Sequence, residues 1–134
     1  MVFVQNYQKE CPNFKTKEEI KELEEKEKQF EAVVKEEEDV VKMAEADEAF
    51  HTVIYNATLN NRLITILNNL REQMYRYRFE YIKDESQHQM LVKEHRRICE
   101  SISSKDVVAS KSAIREHIEN QEKSIIRQIR LEKK

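Results

Sequence analysis

The stretch that decides the reading is Ala46-Asp47-Glu48-Ala49-Phe50-His51, ADEAFH. Phe50, Val53, Ile54 and Ala57 continue it as an apolar stripe at helical spacing. Asp47 and His51 stand four residues apart, so on that helix they lie one above the other on the same face. A carboxylate and an imidazole so placed can share a metal ion, a proton or a ligand. Two more histidines, His95 and His117, recur far down the chain inside other helical patterns.

Working outward, the 134 residues contain no glycine and one proline, Pro12. Sheets joined by tight turns usually need such residues, whereas helices capped by Asn, Ser, Thr or Asp do not. The expected fold is all-α, an antiparallel bundle of four or five main helices with short connections. A charged fraction of 37% beside 39% hydrophobic residues fits amphipathic helices that each expose one broad face.

Residues 1–15 have no clear period and are expected to form an irregular or residual segment ahead of a helical domain over 16–134. Thr16 with Glu19 is a capping-box signal for a helix carrying Ile20, Leu23, Phe30, Val33 and Val34. The acidic run Glu36–Asp39 reads as a solvated face or a junction, so two helices rather than one bent helix are expected over 16–58. Asn60 and Asn61 then open a helix with Leu63, Ile66, Leu67, Leu70, Met74, Tyr77 and Tyr81 along one stripe. Asp84 or Ser86 caps the segment with Leu91, His95, Ile98 and Ile102, and Asp106 caps the last one, with Ile114, Ile118, Ile125 and Ile129. The tail Arg127–Lys134 reads as a frayed, solvated end, and His88 as a surface residue in a polar junction.

Charge argues against nucleic-acid binding by these residues. The net charge of -2 divides into -7 over residues 1–50 and +5 over the rest, with no dense basic cluster in either half. Two cysteines, Cys11 and Cys99, make neither a disulfide framework nor a metal knuckle. No apolar run is long enough for a bilayer, so no membrane role is expected and a reducing cytoplasm is the default compartment.

His95 is in phase with Leu91, Ile98 and Ile102, and His117 lies beside Ile114 and Ile118. Three imidazoles and the Asp47 carboxylate aimed inward from three helices can supply an N3O ligand set for Zn²⁺ or another first-row divalent ion. The bland alternative is three hydrogen-bonded core histidines in a helical interaction module. The catalytic alternative is a small metal-dependent hydrolase; it ranks second to a binding role, because the chain lacks the second histidine of a metalloprotease helix and any Gly-rich phosphate cradle.

At these residues the chain resembles the C-terminal effector-sensing (FCD) domain of FadR-like regulators in the GntR superfamily of bacterial transcription factors. The landmarks are Asp47 with His51 in DEAFH, Asn60 in NATLNNRL, Glu94-His95 in VKEHRRICESI, Asp106, and His117-Ile118 in SAIREHIE. Their offsets agree with the family pattern: 9 residues from His51 to Asn60, 11 from His95 to Asp106 and 11 from Asp106 to His117. The resemblance implies a divalent metal, Zn²⁺ first with Ni²⁺ or Mn²⁺ as alternatives, held by Asp47, His51, His95 and His117. It implies a small carboxylate effector, a homodimer, and DNA contact only through a winged-helix domain outside these residues. Asn60, Arg62, Arg71, Arg76 and Arg78 are candidate effector contacts beside that cation. Leu59 stands where the family has glycine, and the family's first sensor-domain helix or helices have no recognisable counterpart before Thr16.

Overall fold

The structure, a computed structural model, describes residues 17–37 and 39–132. The expected irregular segment 1–15, the Thr16 cap, Cys11 and Glu38 of the acidic run lie outside the described residues. The described chain is all-α: α1 (Lys17–Lys35), α2 (Val40–Ala57), α3 (Asn61–Asn69), α4 (Arg71–Ile82), a 3-10 turn (Glu85–Gln87), α5 (His88–Ser103) and α6 (Val107–Glu132). Helix α1 packs on α2 and α5, α2 on α4, and α6 on α4 and α5, so five helices close into a ring with α3 laid between α2 and α4. No described helix is long and apolar enough to cross a membrane.

Each helix contributes one buried face at the spacing its sequence dictates. On α1 the buried residues are Leu23, Glu27, Phe30 and Val34, and on α2 they run Met43, Ala44, Asp47, Phe50, His51, Ile54 and Ala57. The faces meet in two apolar clusters. One gathers Leu23, Phe50, Ile54, Leu63, Ile98 and Ile114; the other gathers Phe30, Met43, Tyr81, Ile82 and Leu91. Three of the ring's helices change cluster at buried polar residues: Glu27 on α1, Asp47 on α2, and Glu94 with His95 on α5. A polar layer therefore crosses the bundle between two apolar halves. Burying a Phe30 or Phe50 side chain stabilises by about 1.5–3 kcal/mol, so the halves hold that layer in place.

The junctions show how a chain without glycine ends its helices. Glu37, Leu59 and Lys105 have φ of 52°, 55° and 61°, the left-handed conformation that glycine normally supplies just past a helix. In each case the backbone N–H closes on the carbonyl three residues back: Glu37 on Val34 (3.1 Å), Leu59 on Asn56 (3.3 Å) and Lys105 on Ile102 (3.0 Å). After α5 the Asp106 N–H adds a bond to the Ser101 carbonyl at 3.1 Å, completing a Schellman turn. Start signals follow the sequence. Asp39 caps α2 through the Lys42 N–H, Asn60 caps α3 through the Leu63 N–H, and the Ala109 N–H at the start of α6 donates to Asp106 Oδ1. The acidic run is thus a junction, and residues 17–57 form two helices.

Three expectations are corrected. The stripe from Leu63 to Tyr81 is not one helix: Leu70, at φ -96° and ψ 4°, leaves the α-region and separates α3 from α4. Asn68 and Asn69, poor helix formers that compete for backbone groups, precede the break. The chain is helical from Arg127 through Glu132 rather than frayed, with Ile129 and Leu131 exposed, and Lys133 and Lys134 lie outside the described residues. His88 is half-buried, its Nε2 2.7 Å from the Ile82 carbonyl oxygen, which ties the start of α5 to the end of α4.

Two predictions follow from these details. A left-handed non-glycine residue costs about 1–2 kcal/mol, offset in part by the greater unfolded freedom of glycine. Leu59→Gly should therefore raise the stability measured by urea unfolding by about 0.5–1 kcal/mol. Glu27 is buried where α1 meets α5; burial and a hydrogen bond to Glu31, which itself pairs with Arg96, push its carboxyl up from 4.5 to about 7. Because its folded pKa exceeds the unfolded one, its stabilising contribution is complete below about 4.5 and is lost as pH rises through 7. Glu27→Gln should accordingly be more stable than the parent at pH 8 and comparable to it at pH 5 by thermal melting.

Candidate metal centre and its cavity

Within the polar layer the candidate centre is built from α2, α4, α5 and α6. Asp47 and His51 come from adjacent turns of α2, His95 from the middle of α5 and His117 from the second half of α6's buried stretch. All four are buried, Asp47 and His95 completely. Phe50 stacks on the His95 ring at 4.5 Å between centroids and Phe30 lies against it at 4.4 Å. The two phenylalanines leave that imidazole little freedom to turn.

Their polar atoms converge. Asp47 Oδ1 lies 2.8 Å from His95 Nε2 and 3.4 Å from His51 Nε2. His51 Nε2 lies 3.2 Å from His117 Nε2. Ligand atoms of the three histidines all fall within 4.8 Å of one another. Donors bound at about 2.0–2.2 Å to one tetrahedral or octahedral ion stand about 2.9–3.4 Å apart, which is the spacing found at the closest pairs. Asp47 Oδ1 and His95 Nε2 are sealed from water, and neither has a well-aligned hydrogen-bond partner. Two buried polar atoms so placed fit a shared third partner. The N3O donor set fits a divalent first-row ion.

The surrounding residues orient this set. Arg78 of α4 pairs through Nε with Asp47 Oδ2, leaving Oδ1 toward the imidazoles, and is itself bonded to Tyr55. Glu94 Oε2 sits 3.1 Å from His117 Nδ1 and accepts its N–H, which turns the Nε2 lone pair of His117 toward the cluster. Burial alone raises the Asp47 carboxyl pKa, but Arg78 with His51 and His95 overrides that and holds it well below the usual carboxylate range. Burial pushes His51 down to about 3 against the pull of Asp47, and lowers His95 for the same reason. The carboxylate is charged and these two imidazoles are neutral at pH 7, the protonation states that metal ligation requires.

A cavity of about 450 Å³ opens beside His51 and His117. Arg78 and Gln121 line it together with Leu67, Met74, Ile118 and Ile125. The other residues named from the sequence lie elsewhere. Asn60 spends its side-chain oxygen on the α3 cap, and Arg62 and Arg76 are exposed and line neither described cavity. Arg71 pairs with Glu48 beside a smaller cavity of about 120 Å³. Of the five candidate effector contacts, only Arg78 reaches the histidines' cavity.

Glu94 and Gln121 were not singled out as site residues from the sequence. Both were readable by phase: Glu94 follows Leu91 by three on α5, and Gln121 follows His117 by four on α6.

Arg78 neutralises a fully buried carboxylate, and removing one partner of such a pair costs about 3–5 kcal/mol. In chelator-treated protein Arg78→Met should lose that much by denaturant unfolding, and adding Asp47→Asn should restore most of it. Additive losses would show that the pair is not coupled.

The family model described as FCD domain matches residues 10–120. No curated protein and no solved structure matches the chain.

Proposed function

The chain belongs to the FCD-domain family, the effector-sensing domains of GntR-family regulators, and from that premise we propose that it senses a small carboxylate through a divalent metal. The observation that carries this reading is the convergence of Asp47 Oδ1 and three histidine nitrogens in a sealed polar layer. Residues 16–134 act as one metal- and effector-binding unit, with Asp47, His51, His95 and His117 as ligands. Zn²⁺ is the first choice for this borderline donor set, with Ni²⁺ or Mn²⁺ as alternatives.

Bound there, such an ion supplies positive charge and coordination positions for an anion. Arg78 fixes the Asp47 carboxylate and Glu94 fixes the His117 tautomer, so the ligand atoms are arranged before anything binds. Both carboxylates nearest the imidazoles are thereby engaged, which favours sensing over a hydrolase that needs a free general base. The ligands come from three helices of the ring. An occupant of the cavity beside them touches α2, α4 and α6 together, so its binding free energy acts on their relative positions. In a regulator carrying a winged helix, that shift is passed to DNA through a dimer of these domains. Ile129 and Leu131, exposed near the end of α6, are apolar surface of the kind such a dimer covers.

Metal analysis tests the centre. Protein purified without chelator should carry near-stoichiometric divalent metal, and a His95→Ala/His117→Ala variant that keeps its helical circular dichroism should carry almost none. Zn²⁺ at a thousandfold excess over its Kd should stabilise chelator-treated protein by about 4 kcal/mol. Equal, near-zero metal in parent and variant, with no stabilisation, would sink the reading.

A further inference from the structure

The cavity beside the histidines is chemically lopsided. Its polar groups, His51, His117 and Arg78, gather at one end, where the Asp47 layer lies. From there it follows α6 past Ile118 to Ile125 and Ile126, faced by Leu70, Met74 and Tyr77 of the α3–α4 side. His117 to Ile125 is two turns of helix, about 12 Å. Over that length the walls are aliphatic or aromatic save for Gln73, Gln121 and the exposed Glu122.

We infer that the effector is a carboxylate with an apolar body: its head group lies at the His51–His117–Arg78 end, and its hydrocarbon part runs along the Ile118–Ile125 wall. This rests on the carboxylate-sensing reading above and narrows it. A polyhydroxy or tricarboxylic acid would leave its outer hydroxyls or charges against Ile118, Ile125 and Met74 with no partner, a desolvation cost that an alkyl or aryl group avoids. Charge complementarity selects the head group, and wall chemistry selects the tail.

Calorimetric titration of the Zn²⁺-loaded full chain with acetate, butyrate, hexanoate and octanoate tests this, with citrate and gluconate as polar comparisons. Each buried methylene should tighten binding about fourfold, until the chain outgrows the cavity. Ile125→Asn should flatten that gradient while leaving acetate unchanged. Citrate or gluconate binding more tightly than octanoate, or affinity independent of chain length, would overturn the inference and leave carboxylate sensing standing. No binding by any acid in the set would overturn both.

Discussion

A fully buried carboxylate governs this bundle. Asp47 lies at the level where the two apolar clusters meet, and an ionised group there is costly unless it is compensated. Arg78 compensates one oxygen, and His51 and His95 face the other. That single requirement draws α2, α4 and α5 to one point. His117, held by Glu94, brings in α6. The packing of Phe30 and Phe50 against His95 then connects the charged layer to the apolar core on both sides.

Polar layers of this kind weaken a bundle relative to an all-apolar core, so a use for them is expected on physical grounds. Here several buried atoms lack a well-aligned hydrogen-bond partner, among them both oxygens of Asp47, Glu94 Oε1 and both ring nitrogens of His95. Strain is also spent at the helix ends, where Glu37, Leu59 and Lys105 adopt a conformation that glycine adopts freely. Leu59 is the sharpest case, because the family resemblance places glycine there and the backbone keeps the glycine-like geometry regardless. The turn is set by the hydrogen bonds that close α2 and by the Asn60 cap that opens α3, and the side chain yields to them.

Much of the architecture was readable because helical periodicity and caps are local. The absence of glycine and the stripes through Phe30, Phe50, Leu91 and Ile114 led to an all-α bundle, the Glu36–Asp39 run to a helix junction, and Asn60 and Asp106 marked helix starts that the structure contains. The break at Leu70 was not readable, since Leu63 to Tyr81 keeps an apolar period on both sides of it. His88 looked like a surface group because its partner, the Ile82 carbonyl, belongs to the preceding helix end. Arg78 looked like one basic residue among several. Nothing in its neighbourhood of sequence separates it from Arg71 and Arg76, which lie at the surface.

By itself, the sequence determined which residues share a helical face: Asp47 with His51, His95 with Leu91 and Ile98, His117 with Gln121. Those relations follow from the 3.6-residue turn alone. Tertiary structure decided which faces meet. Only the closure of α1, α2, α4, α5 and α6 into one ring sets His51 and His117 3.2 Å apart across 66 residues and puts Arg78, rather than Arg71 or Arg76, against Asp47. The reason is that periodicity fixes the direction of a side chain from its own axis, whereas distance between two axes depends on packing volume and buried charge across the whole core.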